Sequence, residues 1–512
     1  MSRTRTMLST THSGTVYGID GCAVDVETDI AAGLPAFTIV GLPDTSVKES
    51  KERVSAAIRN AGFDLPPKRI TVSLAPADLR KEGSGFDLPI AVGILAAAEA
   101  VRADALDHFG IIGELALDGA VRPVKGIMAL ASTVAQRGRR TLLVPKQNAR
   151  EAAVTGVPAV PVSHLREAVA ILNGEQPAEP VSVDIGALLN EVRRYTCDFA
   201  EVRGQQFAKR ALEVAAAGGH NLLMVGPPGS GKTMLASRLA TILPPMEREE
   251  AIETTRIYSV AGMLADGFIG TRPFRAPHHT ISDVALIGGG QIPRPGEISL
   301  AHNGVLFLDE LPEFARGVLE VMRQPLESGT VSVSRAAGKV DFPARIMLVA
   351  ACNPCPCGYY GHPKKDCLCT PFQIQKYAAR ISGPLLDRID IHVEVPPVDI
   401  EELAANGRQE SSEEIRTRVV RVRGVQSARY AGTGIFTNAQ LTARLIKEHC
   451  PMTEDARTLL KHSIERLGLS ARAFDRITKV ARTIADMDGA DTIAAAHVAE
   501  AVQYRSLDRW VK

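Results

Sequence analysis

Gly226-Pro227-Pro228-Gly229-Ser230-Gly231-Lys232-Thr233 directly follows the apolar run Asn221 to Val225. A GxxxxGKT turn between a strand and a helix is a phosphate cradle: its glycines let successive backbone N–H groups point inward, and the helix opening at Lys232 adds its positive end. In that arrangement Lys232 reaches the β- and γ-phosphates of a nucleoside triphosphate and Thr233 holds Mg²⁺. A second apolar run, Val305 to Leu308, ends in the adjacent acids Asp309 and Glu310. Their work differs: Asp309 binds Mg²⁺ directly or through water, while Glu310 polarises the attacking water. A third apolar run, Ile346 to Ala351, delivers Cys352 and Asn353 to the same strand ends, where Asn353 can orient that water.

Four of the eight cysteines fall just after Asn353, as Cys355-Pro356-Cys357 and Cys367-Leu368-Cys369. Two close pairs joined by a short loop can wrap a tetrahedral Zn²⁺ as thiolates. The CxC spacing leaves a redox role or no role open, and His362 or Cys352 are alternative fourth ligands. Cys22, Cys197 and Cys450 stand apart and read as small buried apolar residues.

Further along, Ser382 to Asp390 carries Arg388 between Asp387 and Asp390, and Gly468-Leu469-Ser470-Ala471-Arg472 opens a helix. With the earlier motifs, this order resembles the AAA+ superfamily, in the branch of magnesium-chelatase ATPase subunits and MCM helicases. The resemblance implies that Arg388 is an arginine finger acting on a neighbour's nucleotide, with a helix-end salt bridge to Asp387 or Asp390 as the plainer alternative. It also implies that Arg472 is the second sensor, on the lid. Arg272 to Thr280 (RPFRAPHHT) and Pro295 to Gly304 (PGEISLAHNG) are similar to the bacterial YifB/ComM family over nearly the whole chain. That family implies an ATP-driven homo-hexameric DNA motor, of the kind that migrates DNA branches in natural transformation and recombination. Val331 to Val340 resembles the hairpin that precedes the sensor strand in MCM-type rings, with Arg335 and Lys339 near its tip as DNA phosphate contacts. Leu286 to Gln291, with three consecutive glycines, reads as a second pore loop.

The elements needed to position these residues divide the chain. Asn173 to Asp184 is rich in Pro, Glu and small polar residues, so residues 173–195 read as a linker. Residues 196–398 form the expected α/β nucleotide-binding core with a parallel sheet and a Cys-rich insert at 352–369; residues 399–512 form a helical lid. In that lid Phe474, Ile477, Val480, Ala481 and Ile484 recur at helical spacing as its core face. Arg472, Arg476, Lys479 and Arg482 make a basic edge, of which Lys479 and Arg482 are expected to be merely solvated.

Residues 1–172 show strands at Thr38 to Leu42, Ile70 to Leu74 and Gly110 to Leu117, and helices at Thr45 to Ala61 and Leu88 to Val101. Lys81 to Leu88 and Gly113 to Gly119 resemble the proteolytic domain of Lon, an α+β fold. Serine-lysine catalysis requires a neutral lysine beside the nucleophile. The corresponding positions hold Gly85 and Arg122, and arginine stays protonated. Ser84 and Lys125 keep a shifted register open. The domain is therefore expected to be Lon-like without its catalytic dyad, serving DNA or partner binding.

The chain has 512 residues, 45% hydrophobic, with 59 basic against 58 acidic side chains and a net charge of +1. Near-neutrality gives no global attraction to nucleic acid, so DNA contact must come from local basic elements. Aromatic residues at 4% argue against base stacking as the main grip. Leu88 to Val101 is too short and carries Glu99, so it reads as a buried helix and not a membrane span. The polar N-terminus lacks the apolar stretch of a secretory signal. Together these point to a cytoplasmic protein. A protein-remodelling ATPase resembling the magnesium-chelatase motor is the alternative to a DNA motor.

Overall fold

The computed structural model describes residues 7–137, 141–191, 195–264, 267–290, 293–335, 338–397, 408–468 and 471–505. The chain forms two compact units: Met1–Val192 with Glu247–Gly270 and Gln291–Pro295, and Arg193–Met246 with Thr271–Gly290 and Gly296–Lys512. The helix Arg248–Ala261 thus belongs by contact to the first unit, although the sequence boundary 196–398 places it in the second. There the Gly126 N–H donates to the Ser259 carbonyl at 3.0 Å. Helical periodicity identifies such an element but not which partner it packs on.

The first unit is built on a seven-stranded mixed sheet in the order Ala36–Val40, Arg69–Ala75, Asp20–Ala31, Leu8–Tyr17, Phe109–Ile111, Thr141–Pro145, Ala159–Val162. Its two longest strands pair antiparallel from Leu8↔Asp29 to Tyr17↔Asp20. Ser9, Thr11, Ser13 and Thr15 alternate into the interior, where Ser9 Oγ and Thr11 Oγ1 donate to the Gly93 and Pro89 carbonyls at 2.7 and 3.0 Å. Those carbonyls lie on the wholly buried helix Asp87–Ala97. Asp87 opens it and is gripped by Arg53, Nε to Oδ2 at 2.7 Å and Nη2 to Oδ1 at 3.0 Å. Ser84 and Lys125 do not meet: Ser84 Oγ donates to Glu114, and the Lys125 side chain lies against Gly262.

The second unit carries a five-stranded, wholly parallel sheet in the order Phe274–Arg275, Val305–Leu308, Met347–Cys352, Leu222–Val225, Ile391–Glu394. The three central strands, buried on both faces, read as unbroken apolar runs, whereas Phe274–Arg275 is half-buried and Ile391–Glu394 ends in an exposed glutamate. Helices Ser412–Arg429, Ala443–His449, Glu454–Leu467, Ala471–Met487 and Ala495–Gln503 complete the unit. On Ala471–Met487, residues Ile477, Val480, Ala481 and Ile484 are buried as the periodicity predicts, but Phe474 is exposed.

Lys479 and Arg482, the two members of that helix's basic edge expected to be solvated, are not, whereas Arg472 is exposed. Arg482 is fully buried, donating to Asp486 at 3.1 Å and to the Asp491 carbonyl at 2.5 Å. Lys479 Nζ donates to the Ala439 carbonyl at 2.9 Å. The acids that satisfy this edge lie on other turns or elements, so charge spacing alone does not reveal them. Among the described residues no helix is long and apolar enough to cross a membrane.

Candidate active site

In a parallel sheet the strand ends gather side chains from segments far apart in sequence. Here Leu222–Val225 feeds the phosphate loop, Val305–Leu308 delivers Asp309 and Glu310, and Met347–Cys352 delivers Asn353. Gly229 and Gly231 take φ of 78° and 86°, a left-handed region that costs glycine nothing. A side chain at Gly226 would run into the Val395 carbonyl.

Pro228, Gly229, Ser230, Gly231, Lys232, Thr233, Asp309, Glu310, Cys352 and Asn353 line one cavity of about 420 Å³. Lys232 Nζ donates to the carbonyls of Gly226 at 2.7 Å and Pro227 at 2.9 Å, and to Asn353 Oδ1 at 3.3 Å. Burial lowers the Lys232 pKa below the ordinary lysine value, opposed by Asp309. Thr233 Oγ1 donates to Asp309 Oδ2 at 2.7 Å, so the hydroxyl and carboxylate suited to Mg²⁺ already share a point. Burial pushes the Cys352 thiol up to about 12, leaving it a neutral wall of the cavity.

Glu310 has φ of 53°, a left-handed backbone uncommon outside glycine. Its Oε2 lies 3.2 Å from His279 Nδ1. The motif Arg272 to Thr280 marks a family in the sequence but assigns His279 no role. No local signal pairs it with an acid 31 positions away. The neighbouring arginines are structural: Arg275 grips Glu297 through two bonds of 2.7 Å, and Arg272 donates to the Asn303 carbonyl at 2.7 Å.

Arg388 and Arg472 do not line this cavity. Arg388 donates to the Pro384 carbonyl at 2.5 Å and pairs with Glu327, neither of the acids expected from its neighbours. Arg472 Nη1 lies 3.5 Å from Asp387, so the lid arginine stands beside the Arg388 segment. Leu469 and Ser470 lie outside the described residues. Among the described residues, Lys232 is the only cationic side chain lining the cavity.

Thr330–Arg335 and Gly338–Pro343 form an antiparallel hairpin that leads into the strand Met347–Cys352. Ser334 stands opposite Lys339, whose Nζ is 3.4 Å from Asp341. Ala336 and Ala337, at the tip, lie outside the described residues, as does Gln291 of the glycine loop.

The sulfurs of Cys355, Cys357, Cys367 and Cys369 all lie within 4.8 Å of one another. Cys355 to Cys357, Cys355 to Cys367 and Cys357 to Cys367 measure 3.4, 3.7 and 3.6 Å. A tetrahedron of zinc–sulfur bonds about 2.3 Å long has edges of about 3.8 Å, so the group fits Zn²⁺. The Tyr359 backbone N–H draws the Cys357 thiol below its usual range. Cys367 and Cys369 are pushed up, despite a backbone N–H on each, by burial and the neighbouring sulfurs. Four thiols this close cannot all ionise without a cation among them. His362 Nδ1 instead accepts from the Lys364 and Lys365 N–H groups, and neither His362 nor Cys352 joins the cluster.

Residues 198–403 match the family described as magnesium chelatase, subunit ChlI; residues 26–148 and 409–505 match its subunit ChlI and C-terminal families. The chain is 48% identical to competence protein ComM of Haemophilus influenzae, covering 98% of each. It is 45% identical to YifB of Escherichia coli, again over 98% of each chain. It is also 24% identical to the magnesium-chelatase 38 kDa subunit of Cereibacter sphaeroides, over 30% of this chain and 52% of that one.

Proposed function

The chain belongs to the YifB/ComM family of magnesium-chelatase-like AAA+ ATPases, and from that premise we propose that it is a hexameric, DNA-translocating ATPase of the cytoplasm that promotes branch migration. Supporting the competence setting is the printed name of the Haemophilus relative. The residue roles follow from the cavity. Lys232 and the loop N–H groups bind the β- and γ-phosphates, Asn353 orients water, and Glu310 takes its proton. Thr233 and Asp309 would hold Mg²⁺, which neutralises developing phosphate charge. The cysteine group would hold Zn²⁺ as a structural clamp on the insert.

Oligomerisation is argued from charge. Phosphoryl transfer calls for a cation beyond the loop lysine, and Arg388 stands elsewhere in its own chain. A heterologous ring interface would bring a neighbour's Arg388, with Arg472 beside it, to each cavity.

One observation carries the DNA reading: three residues separate the hairpin Thr330–Pro343 from the strand Met347–Cys352, which is followed at once by Asn353. A change at the nucleotide can therefore displace Arg335 and Lys339 through a single continuous segment. Replacing both with Ala should preserve basal ATPase and assembly while abolishing DNA stimulation and unwinding of branched DNA. The salt dependence of binding should also become shallower, since phosphate contacts release counterions. Unwinding at the parent rate would overturn the hairpin's role. A parent enzyme indifferent to forked, branched and single-stranded DNA would favour the protein-remodelling alternative, which the chelatase matches support.

A further inference from the structure

We propose that the four-cysteine insert is a brace for the nucleotide site: with a zinc ion among its sulfurs it holds Gly358 against Pro228 of the phosphate loop, and occupancy of the sulfur site thereby sets ATP affinity and turnover. The inference rests on the ATPase reading above and adds to it a control that acts through a second, metal-binding site.

The insert meets the catalytic elements at three places. Cys355 is wholly buried two residues beyond Asn353. Gly358 then packs so closely on the phosphate loop that a Cβ added there would stand 2.5 and 2.8 Å from atoms of the Pro228 ring and 3.9 Å from Asn353 Cγ. Its φ of 85° and its N–H, donated to the Cys355 carbonyl at 3.0 Å, fix it in the turn that the first cysteine pair opens. At the other end, Thr370 follows Cys369 and caps the helix Pro371–Ala378, its Oγ1 accepting from the Gln373 N–H at 3.3 Å. On that helix Tyr377 is buried, and burial, with the Cys352 thiol and the Glu313 and Glu310 carboxylates, raises its pKa. Arg380, just past it, donates to Glu313 at 2.8 Å, in the turn that follows Glu310.

A metal ion is what joins these contacts. Cys355 and Cys357 belong to the entry that carries Gly358, Cys367 and Cys369 to the exit that leads to Arg380, and an ion among the four sulfurs ties entry to exit. The binding energy of a thiolate-held ion is folding energy for the segment it closes. With the ion gone, the sulfurs have no common centre and those that ionise repel one another, so Gly358 is released from Pro228. The backbone N–H groups of the phosphate loop must point at phosphate oxygens together. A loop free to shift therefore binds ATP less tightly and holds it less well against Glu310.

The test uses the full zinc-loaded chain, titrated calorimetrically with ATP and assayed for turnover with Mg-ATP. Gly358→Ala and Gly361→Ala impose the same left-handed strain, at φ of 85° and 78°, but only the first methyl meets a neighbour; at Gly361 nothing lies within 4 Å. To pass from 2.5 Å to ordinary contact at 3.4 Å the Pro228 ring must yield by about 1 Å. Misplacement on that scale should lower turnover of Gly358→Ala roughly ten- to a hundredfold and its ATP affinity roughly tenfold, with zinc content at the parent level. Gly361→Ala should match the parent throughout. In the parent, removing zinc with a zinc-selective chelator should weaken ATP binding by a similar factor, and adding zinc back should restore it; this arm decides the matter if Gly358→Ala fails to fold. An ATP affinity within about threefold of the parent, in zinc-loaded Gly358→Ala or in the stripped parent, would overturn the brace, as would an equal loss in Gly361→Ala. A parent that binds no ATP would sink the ATPase reading and the brace with it, whereas a parent that binds ATP equally with and without zinc sinks the brace alone.

Discussion

Lys232→Met removes the ammonium while keeping most of the buried stem. The structure shows what that ammonium does: all three N–H groups are used, on the Gly226 and Pro227 carbonyls and on Asn353 Oδ1, at 2.7, 2.9 and 3.3 Å. ATP binding therefore exchanges acceptors and does not simply add bonds. The ammonium–carbonyl bonds are already charge-assisted, so exchanging a carbonyl for an anionic phosphate oxygen adds ion–ion attraction, roughly 1 kcal/mol or somewhat more per bond in a site open to water. Two exchanges, to β- and γ-phosphate oxygens, amount to roughly 2–3 kcal/mol, or about thirty- to a hundred-and-fiftyfold in Kd. Calorimetric titration of parent and variant with ATP and with AMP checks this. ATP affinity should fall by that factor while AMP, which lacks both phosphates, is nearly unaffected. An ATP affinity within about threefold of the parent would refute the phosphate role. An equal loss for AMP would show that the lysine acts by holding the loop.

Other consequences are as direct. Arg388→Ala should leave ATP affinity intact and cut turnover about a thousandfold, and mixing it with Lys232→Met subunits should restore part of the ATPase; no recovery in mixed rings would assign Arg388 to its pair with Glu327 alone. Metal analysis should find zinc at about one per chain, and Cys357→Ser should lower it and the melting temperature together; unchanged metal content would exclude the cysteine group. Asp390 should dominate the acid limb of stability. Burial alone would raise its pKa, but His220, Arg476 and Lys479 hold it well below the usual carboxylate range. A depressed folded value stabilises fully above the unfolded pKa near 3.9, and the stabilisation is lost as pH falls below it. Asp390→Asn should cost about 3 kcal/mol at neutral pH and flatten the stability profile below about pH 4, read by denaturant melts across pH.

The catalytic strands were legible because a fully buried parallel strand writes its own signature. Leu222–Val225, Val305–Leu308 and Met347–Cys352 are apolar throughout, and the site residues lie in the turn that follows each. The two longest strands of the first unit carry the opposite lesson. Leu8–Tyr17 and Asp20–Ala31 alternate as strands must, but the inward positions of the first are Ser9, Thr11, Ser13 and Thr15. Buried hydroxyls, two of them (Ser9 and Thr11) bonded to a helix backbone, fill a core without looking hydrophobic, so polarity hid the longest pairing in that sheet.

What sequence order cannot convey is which distant charges meet, and the Arg388 segment depends on that. Asp387 and Asp390 flank it, and each faces an arginine of the lid helix, Arg472 at 3.5 Å and Arg476 at 2.9 Å. The two pairs are unequal. Arg472 to Asp387 is largely exposed, where such pairs contribute about 0–1 kcal/mol, whereas Arg476 to Asp390 is buried and joined by His220 at 3.1 Å. His220 in turn reaches Thr483 on the same helix, at 2.8 Å. The lid therefore grips the Asp390 end of the Arg388 segment and leaves the Asp387 end, beside Arg472, loosely held. In the proposed ring, rotation of the lid would carry Asp390 with it and pull Arg388 against its Glu327 pair, and Arg472 would exchange Asp387 for a phosphate. There a neighbouring nucleotide would therefore engage Arg388 and Arg472 together, although 84 positions separate them in the chain.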